Sequence, residues 1–154
     1  MTSKGIVLVV SGPSGVGKDT VLEKFFEKNC EVKKSVSATT REKREGEVDG
    51  KDYYFISKEE FLSRIEKNEF LEYAEYCQNF YGTPKKELYD RLDKGINVIL
   101  KIEVQGASQI RKTCPEGVFV FIAPPSVEIL RKRLTDRGTD TKEDIERRIK
   151  RAFE

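Results

Sequence analysis

The chain predicts an α/β fold, a mostly parallel sheet with helices on both faces. Three observations carry that prediction. Aliphatic runs of strand length alternate with stretches whose apolar residues recur at helical spacing. A glycine-rich turn joins the first run to the first helix, as in βα units. The 154 residues suffice for one compact domain but are short for two independent cores.

In order, Ile6–Val10 is a short aliphatic strand, and Thr20–Glu27 is a helix with Val21, Leu22, Phe25 and Phe26 at helical spacing. Lys34–Thr39 predicts one strand. Arg41–Asp52 is charged, contains two glycines and reads as a loop. Ser57 with Glu60 forms a capping box before a helix whose apolar face is Phe61, Leu62 and Ile65. Thr83-Pro84 opens another helix with proline at its first position; Leu88 and Leu92 face the core and Gly95 ends it. Ile96–Ile102 is mostly β-branched or aliphatic and reads as a central strand. Gly106–Lys112 is helical, and Val118–Ile122 is a third strong strand. Pro124-Pro125 breaks the chain, and Ser126 caps a helix running to Gly138. Thr141 caps a last helix with Ile145 and Ile149 on one face. The sequence stops inside that helix, at Glu154, without a stop signal, which reads as a truncated or partial chain.

Bulk composition excludes several functions. With 29 basic and 27 acidic side chains the net charge is +2, which argues against a dedicated nucleic-acid binder. Cys30, Cys77 and Cys114 are odd in number and widely spaced, so they read as reduced thiols of a cytoplasmic protein, not a disulfide frame or zinc site. The run Gly5–Val10 is far too short to span a membrane and lacks the flanks of a signal peptide. There is no histidine, so a Ser-His-Asp triad, a histidine base and every His-ligated metal site are excluded. Phosphoryl transfer needs none of these, since it rests on positioning and charge neutralisation.

Gly12-Pro13-Ser14-Gly15-Val16-Gly17-Lys18 matches GxxxxGK between a predicted strand and a predicted helix, the context the phosphate-binding loop requires. Successive backbone N–H groups and the helix N-terminus make an anion cradle there. Lys18 reaches the β- and γ-phosphates of a nucleoside triphosphate. One position departs from the motif. Where Ser or Thr should follow the lysine to meet Mg²⁺, the chain has Asp19, with Thr20 next. Either Thr20 supplies the hydroxyl, or the metal is held mostly by water and phosphate oxygens. A carboxylate at position 19 repels polyphosphate unless it points away or bridges through the metal.

The segments beyond the loop name an acceptor. Ser35-Val36-Ser37-Ala38-Thr39-Thr40-Arg41, Arg44 and Gly46–Phe55 come first. Glu69–Glu72, Asn79–Thr83, Ile102–Ala107, Ala123–Ser126, Arg133-Leu134 and Arg137–Thr139 follow in order. Together they resemble the guanylate kinase family over nearly the whole chain. The resemblance implies a phosphate-loop core over 1–34 and 86–125, a small mixed α/β GMP-binding insert over 35–85, and a helical lid with the start of a C-terminal helix over 126–154. It implies transfer of the γ-phosphoryl group of ATP to GMP, giving ADP and GDP in purine nucleotide metabolism, with Mg²⁺ as cofactor.

Residue by residue, the resemblance implies that Gly12–Lys18 with Asp19, Thr20, Arg133 and Arg137 bind ATP. Arg41, Arg44, Tyr53 and Tyr81 would grip the GMP phosphate. Glu72, Ser37 and Thr83 would read guanine, and Glu103 would complete the site. Lys18, Arg41, Arg137 and Arg148 would carry catalysis. Taken singly, the arginines would be solvated surface charges, the tyrosines half-buried aromatics, and Glu72 a surface residue at a helix end. Only their joint occurrence with the phosphate loop reverses that. A second departure is Lys101, where the family usually has an acidic residue two positions before Glu103. It weakens the metal site or partly replaces the cation. The rivals are a non-catalytic guanylate-kinase-like scaffold module, disfavoured by the intact loop lysine and the full arginine set, and a kinase for another acceptor, disfavoured by Ser37 with Glu72. No nucleic acid, membrane or obligate protein partner is expected beside ATP and GMP.

Overall fold

A computed structural model describes residues 4–76, 78–138 and 140–153. Its central sheet is built on β1 (Val7–Ser11), with β7 (Val98–Lys101) on one side and β8 (Val118–Phe121) on the other; β2 (Lys33–Lys34) lies outside β7. All three pairings are parallel, with Val9 opposite Leu100 and Phe119. Successive side chains of β7 go to opposite faces, as a strand's period of two dictates. Val98 and Leu100 join Val7, Val9, Leu88, Leu92 and Ile110 on the face covered by α3 (Lys85–Leu92) and α4 (Val104–Thr113). Ile99 joins Val10 and Leu22 on the face covered by α1 (Lys18–Phe26). Full burial of such aliphatic side chains contributes about 1.5–3 kcal/mol each. The α/β class with helices on both faces is as expected. The carboxyl ends of the parallel strands share one edge, where open α/β sheets bind ligands.

A second, mixed sheet has the order β4 (Tyr54–Phe55), β3 (Ala38–Thr39), β6 (Asn79–Pro84), β5 (Phe70–Tyr76). β3 and β4 are parallel, while β6 is antiparallel to both β3 and β5. α2 (Lys58–Glu66) lays Phe61 against it, stacked on Phe70 at 4.4 Å and Phe80 at 5.4 Å between ring centroids. Two readings of the sequence are corrected here. Lys34–Thr39 is not one strand: Ser35 N–H still bonds the Ile99 carbonyl of the central sheet, but Ala38 already pairs with Gly82 of the second. Thr83 and Pro84 finish β6, and the helix starts one residue later with Pro84 as its N-cap. Glu72 lies buried in β5.

The last two helices have a core of their own. α5 (Val127–Asp136) begins where Ser126 Oγ accepts from Ile129 N–H at 3.2 Å. α6 (Lys142–Ala152) begins in a complete capping box between Thr141 and Asp144. Leu130 and Leu134 pack on Ile145 and Ile149, and Arg131 pairs with Glu146 across the two helices. Among the described residues, no helix is long and apolar enough to cross a membrane. Residues Cys77, Thr139 and Glu154, named in the sequence reading, lie outside the described residues.

Candidate active site

The turn after β1 delivers Lys18 into the first turn of α1 and buries it. Its Nζ donates to the Gly12 carbonyl at 2.5 Å, the Pro13 carbonyl at 3.1 Å and Glu103 Oε1 at 3.4 Å. Burial pulls its pKa down, and the Glu103 charge partly offsets this. The turn rests on the helical pair. Gly15 has a φ of +83°, and a Cβ there would stand 2.6 Å from Leu134 Cδ2, so only glycine fits. Two arginines reach the loop from the same helices. Arg133 Nη1 donates to the Val16 carbonyl at 2.6 Å. Arg148 bonds Ser14 Oγ, donates to Asp140 at 3.0 Å and stacks over the Tyr76 ring at 5.2 Å. The Nε of Arg148 and Oδ2 of Asp140 are buried with no hydrogen-bond partner among the described residues. Arg137, at the C-cap of α5, is exposed at the rim of the same cleft.

The second sheet supplies the other end. Glu72 is 5% exposed and accepts from Thr83 Oγ1 at 2.6 Å, its neighbour across the β5–β6 ladder. Burial pushes its carboxyl up to about 7, against the pull of the Thr83 hydrogen bonds. Gly106, in the first turn of α4, allows this approach: a Cβ there would fall 2.3 Å from Glu72 Oε2. Arg41 forms a two-pronged pair with Glu47, at 2.7 and 3.1 Å, and packs over the rings of Tyr53 and Phe55. The Glu47 hydrogen bonds raise its pKa. Tyr53 lies edge-to-face with Tyr81, 6.1 Å between centroids, and burial raises its phenol. Arg44 is exposed, its backbone N–H bonded to Glu47.

These two ends line one cleft of about 680 Å³, with Ser37, Thr20, Lys34, Lys101 and Glu103 between them. Among the described residues, nine basic and six acidic side chains line it, so its balance favours anions although the whole chain is near neutral. Of the expected site residues, Val16 and Gly12 shape the loop from behind, and Thr83 acts on the cleft through Glu72. The sequence reading did not anticipate Lys34, Gly106, Tyr76, Asp140 or Arg151 here. Lys34 ends β2 and Lys101 ends β7, and that position at the carboxyl edge is the signal that marks both as cleft residues.

Metal-binding chemistry is thin. Among the described residues no three His, Cys, Asp or Glu side chains form a group able to hold an ion. Asp19 is paired with Lys101 and Glu103 with Lys18, which leaves the exposed Thr20 hydroxyl as a neutral oxygen donor. That donor set fits a Mg²⁺ ion carried on a polyphosphate, which needs few protein ligands. It does not fit an ion held by protein carboxylates.

Known proteins resemble this chain in sequence and in fold. The sequence profile described as guanylate kinase matches residues 4–154. A guanylate kinase of Clostridioides difficile (strain 630) is 56% identical over 151 residues, 98% of this chain and 74% of that protein. One of Streptococcus thermophilus is 53% identical over 155 residues, covering 100% of this chain and 74% of that protein. The crystal structure of guanylate kinase from Anaplasma phagocytophilum superposes with a TM-score of 0.75 at 41% identity, over 97% of this chain and 83% of that one. With the family profile matched over residues 4–154 and relatives more than half identical over almost the whole chain, this chain belongs to the guanylate kinase family.

Proposed function

We propose that the chain transfers the γ-phosphoryl group of ATP to GMP, yielding ADP and GDP, in the purine nucleotide metabolism of the cytoplasm. The carrying observation is the single cleft that joins the Lys18 loop to the buried Glu72–Thr83 pair. In this reading residues 12–20 with Arg133 and Arg137 hold ATP. Arg41, Arg44, Tyr53 and Tyr81 hold the acceptor phosphate, while Ser37, Glu72 and Thr83 read the base and Glu103 borders both halves. The second sheet with α2 serves as the acceptor-binding insert and α5–α6 as the lid. Free Cys30 and Cys114 suit a reducing compartment.

A GMP phosphate oxygen attacks the γ-phosphorus in line; one P–O bond forms and the bond to the β-phosphate oxygen breaks. A phosphate monoester is largely doubly ionised at neutral pH, so the nucleophile needs no general base. The absence of histidine is then no handicap. Catalysis is left to orientation and to the guanidinium and ammonium groups, which neutralise charge on the transferring group. Thr20 would be the side chain to hold a Mg²⁺ ion carried by ATP, and that ion would supply further neutralisation of the polyphosphate charge. The helical pair excludes water, which would otherwise hydrolyse ATP.

A coupled ADP-release assay with GMP, AMP, CMP and UMP tests the assignment, with product identified chromatographically. GDP formation with GMP in large excess over the other products is the expected result. ADP release without a phosphorylated acceptor, or equal use of all four, would overturn it.

A further inference from the structure

Two positions that break the expected pattern, Asp19 and Lys101, are 82 residues apart in sequence and form an ion pair in the fold. Asp19 directly follows Lys18 in α1, and Lys101 closes β7 opposite Val10 of β1. The lysine side chain is 17% exposed and the aspartate side chain 69%, so the ammonium sits in the cleft and the carboxylate at its rim. Lys34 lines the same wall and repels Lys101, and burial also disfavours the ammonium, while the Asp19 and Glu103 carboxylates face Lys101 and favour its charged form. An ammonium has three donors, and one hydrogen bond to Asp19 leaves others for a second anion. Asp19, already neutralised, is a poor ligand for a hydrated divalent ion, and the neighbouring ammonium repels such an ion.

We propose that Lys101, steered by Asp19, binds nucleotide phosphate directly and takes over the charge-balancing role that a metal-binding acid would serve by holding the cation. This rests on the assignment of the cleft to ATP. The consequence is specific: the chain binds metal-free ATP nearly as well as the Mg²⁺ complex. Removing the ammonium weakens metal-free binding most, because free ATP carries two more negative charges than its Mg²⁺ complex.

The test is calorimetric titration of ATP in excess EDTA and in excess Mg²⁺, with the parent, Lys101→Ala, Lys101→Arg and the double variant Asp19→Ser/Lys101→Glu. The parent should gain no more than about threefold in affinity from Mg²⁺. Lys101→Ala should lose about tenfold (about 1.4 kcal/mol) for metal-free ATP and less for the Mg²⁺ complex, and Lys101→Arg should restore it to within about threefold. The double variant, which leaves a carboxylate unpaired, should gain about tenfold or more from Mg²⁺. A parent that itself gains tenfold from Mg²⁺, or a Lys101→Ala variant with parental affinity for metal-free ATP, overturns the proposal alone. A parent that binds GMP but no ATP in either buffer removes the ATP assignment together with it.

Discussion

Glu72 is divided between two protonation states near neutral pH, because burial raises its carboxyl to about 7. The two states prefer different bases. In the proposed base site, the ionised form would accept from the N1–H and 2-amino groups of guanine, and the protonated form would donate to the bare N1 of adenine. Since guanine selects the ionised form, affinity for guanosine, which lacks the titrating phosphate, should fall about tenfold per pH unit below about 7 and level off above it. Glu72→Gln should flatten that profile and weaken guanosine binding at pH 8, as read by calorimetry. The preference for GMP over AMP in kcat/KM, which a site of this kind can hold at about 10⁴–10⁵, should shrink toward acid pH. A preference constant from pH 6 to 8 would move base recognition away from Glu72. The free protein responds with the opposite sign. A carboxyl with a raised folded-state pKa lends relative stability below its ordinary value near 4.5, lost as pH rises through about 7.

The helices α5 and α6 are stabilised by their own small cluster, separate from those of the two sheets. Leu134 is fully buried there and also supports Gly15 of the loop. Leu134→Ala should cost about 2–5 kcal/mol, felt mainly as faster amide hydrogen exchange over 127–152, with the amides of β1 and β7 keeping their protection. Uniform loss of protection would mean that the helical pair and the sheet open as one unit. The elements that sequence predicted well are those with local causes: the aliphatic strands β1 and β7, buried on both faces, and the Ser57, Ser126 and Thr141 caps. The β5–β6 hairpin was invisible for a physical reason. In Phe70–Tyr76 a charged residue, Glu72, is buried while Tyr73 is 41% exposed, so the alternation that announces a strand is inverted where the site needs it. Lys34–Thr39 hid a change of sheet because its partners, Ile99 and Gly82, are remote in sequence. Family motifs located the cleft residues, yet nothing local could show that Asp19 and Lys101 meet.

Across the whole molecule, four of the cations described in the cleft come with resident carboxylates: Lys18 with Glu103, Lys101 with Asp19, Arg41 with Glu47 and Arg148 with Asp140. In the proposed function, incoming phosphates would exchange partners with groups already charged and positioned, so little ordering cost would remain to be met on binding. These pairs also divide the cleft. Arg41, Glu72 and Thr83 stand on or beside the second sheet, whereas Lys18 belongs to the central one. Lys18→Ala should thus lower transfer by several orders of magnitude, since electrostatic stabilisation of the transferring group is lost where it matters most. GMP binding should change only a few-fold. The residual effect has one source: Glu103, 43% exposed and deprived of its lysine, would add a solvent-screened negative charge near the acceptor phosphate. The measurement is a GMP titration beside a single-turnover transfer assay on the same variant. Loss of GMP affinity in proportion to rate would show that the Lys18–Glu103 pair holds the two halves of the cleft together; Glu103→Gln in the Lys18→Ala background would then fail to restore GMP binding, whereas simple charge repulsion would be relieved by it.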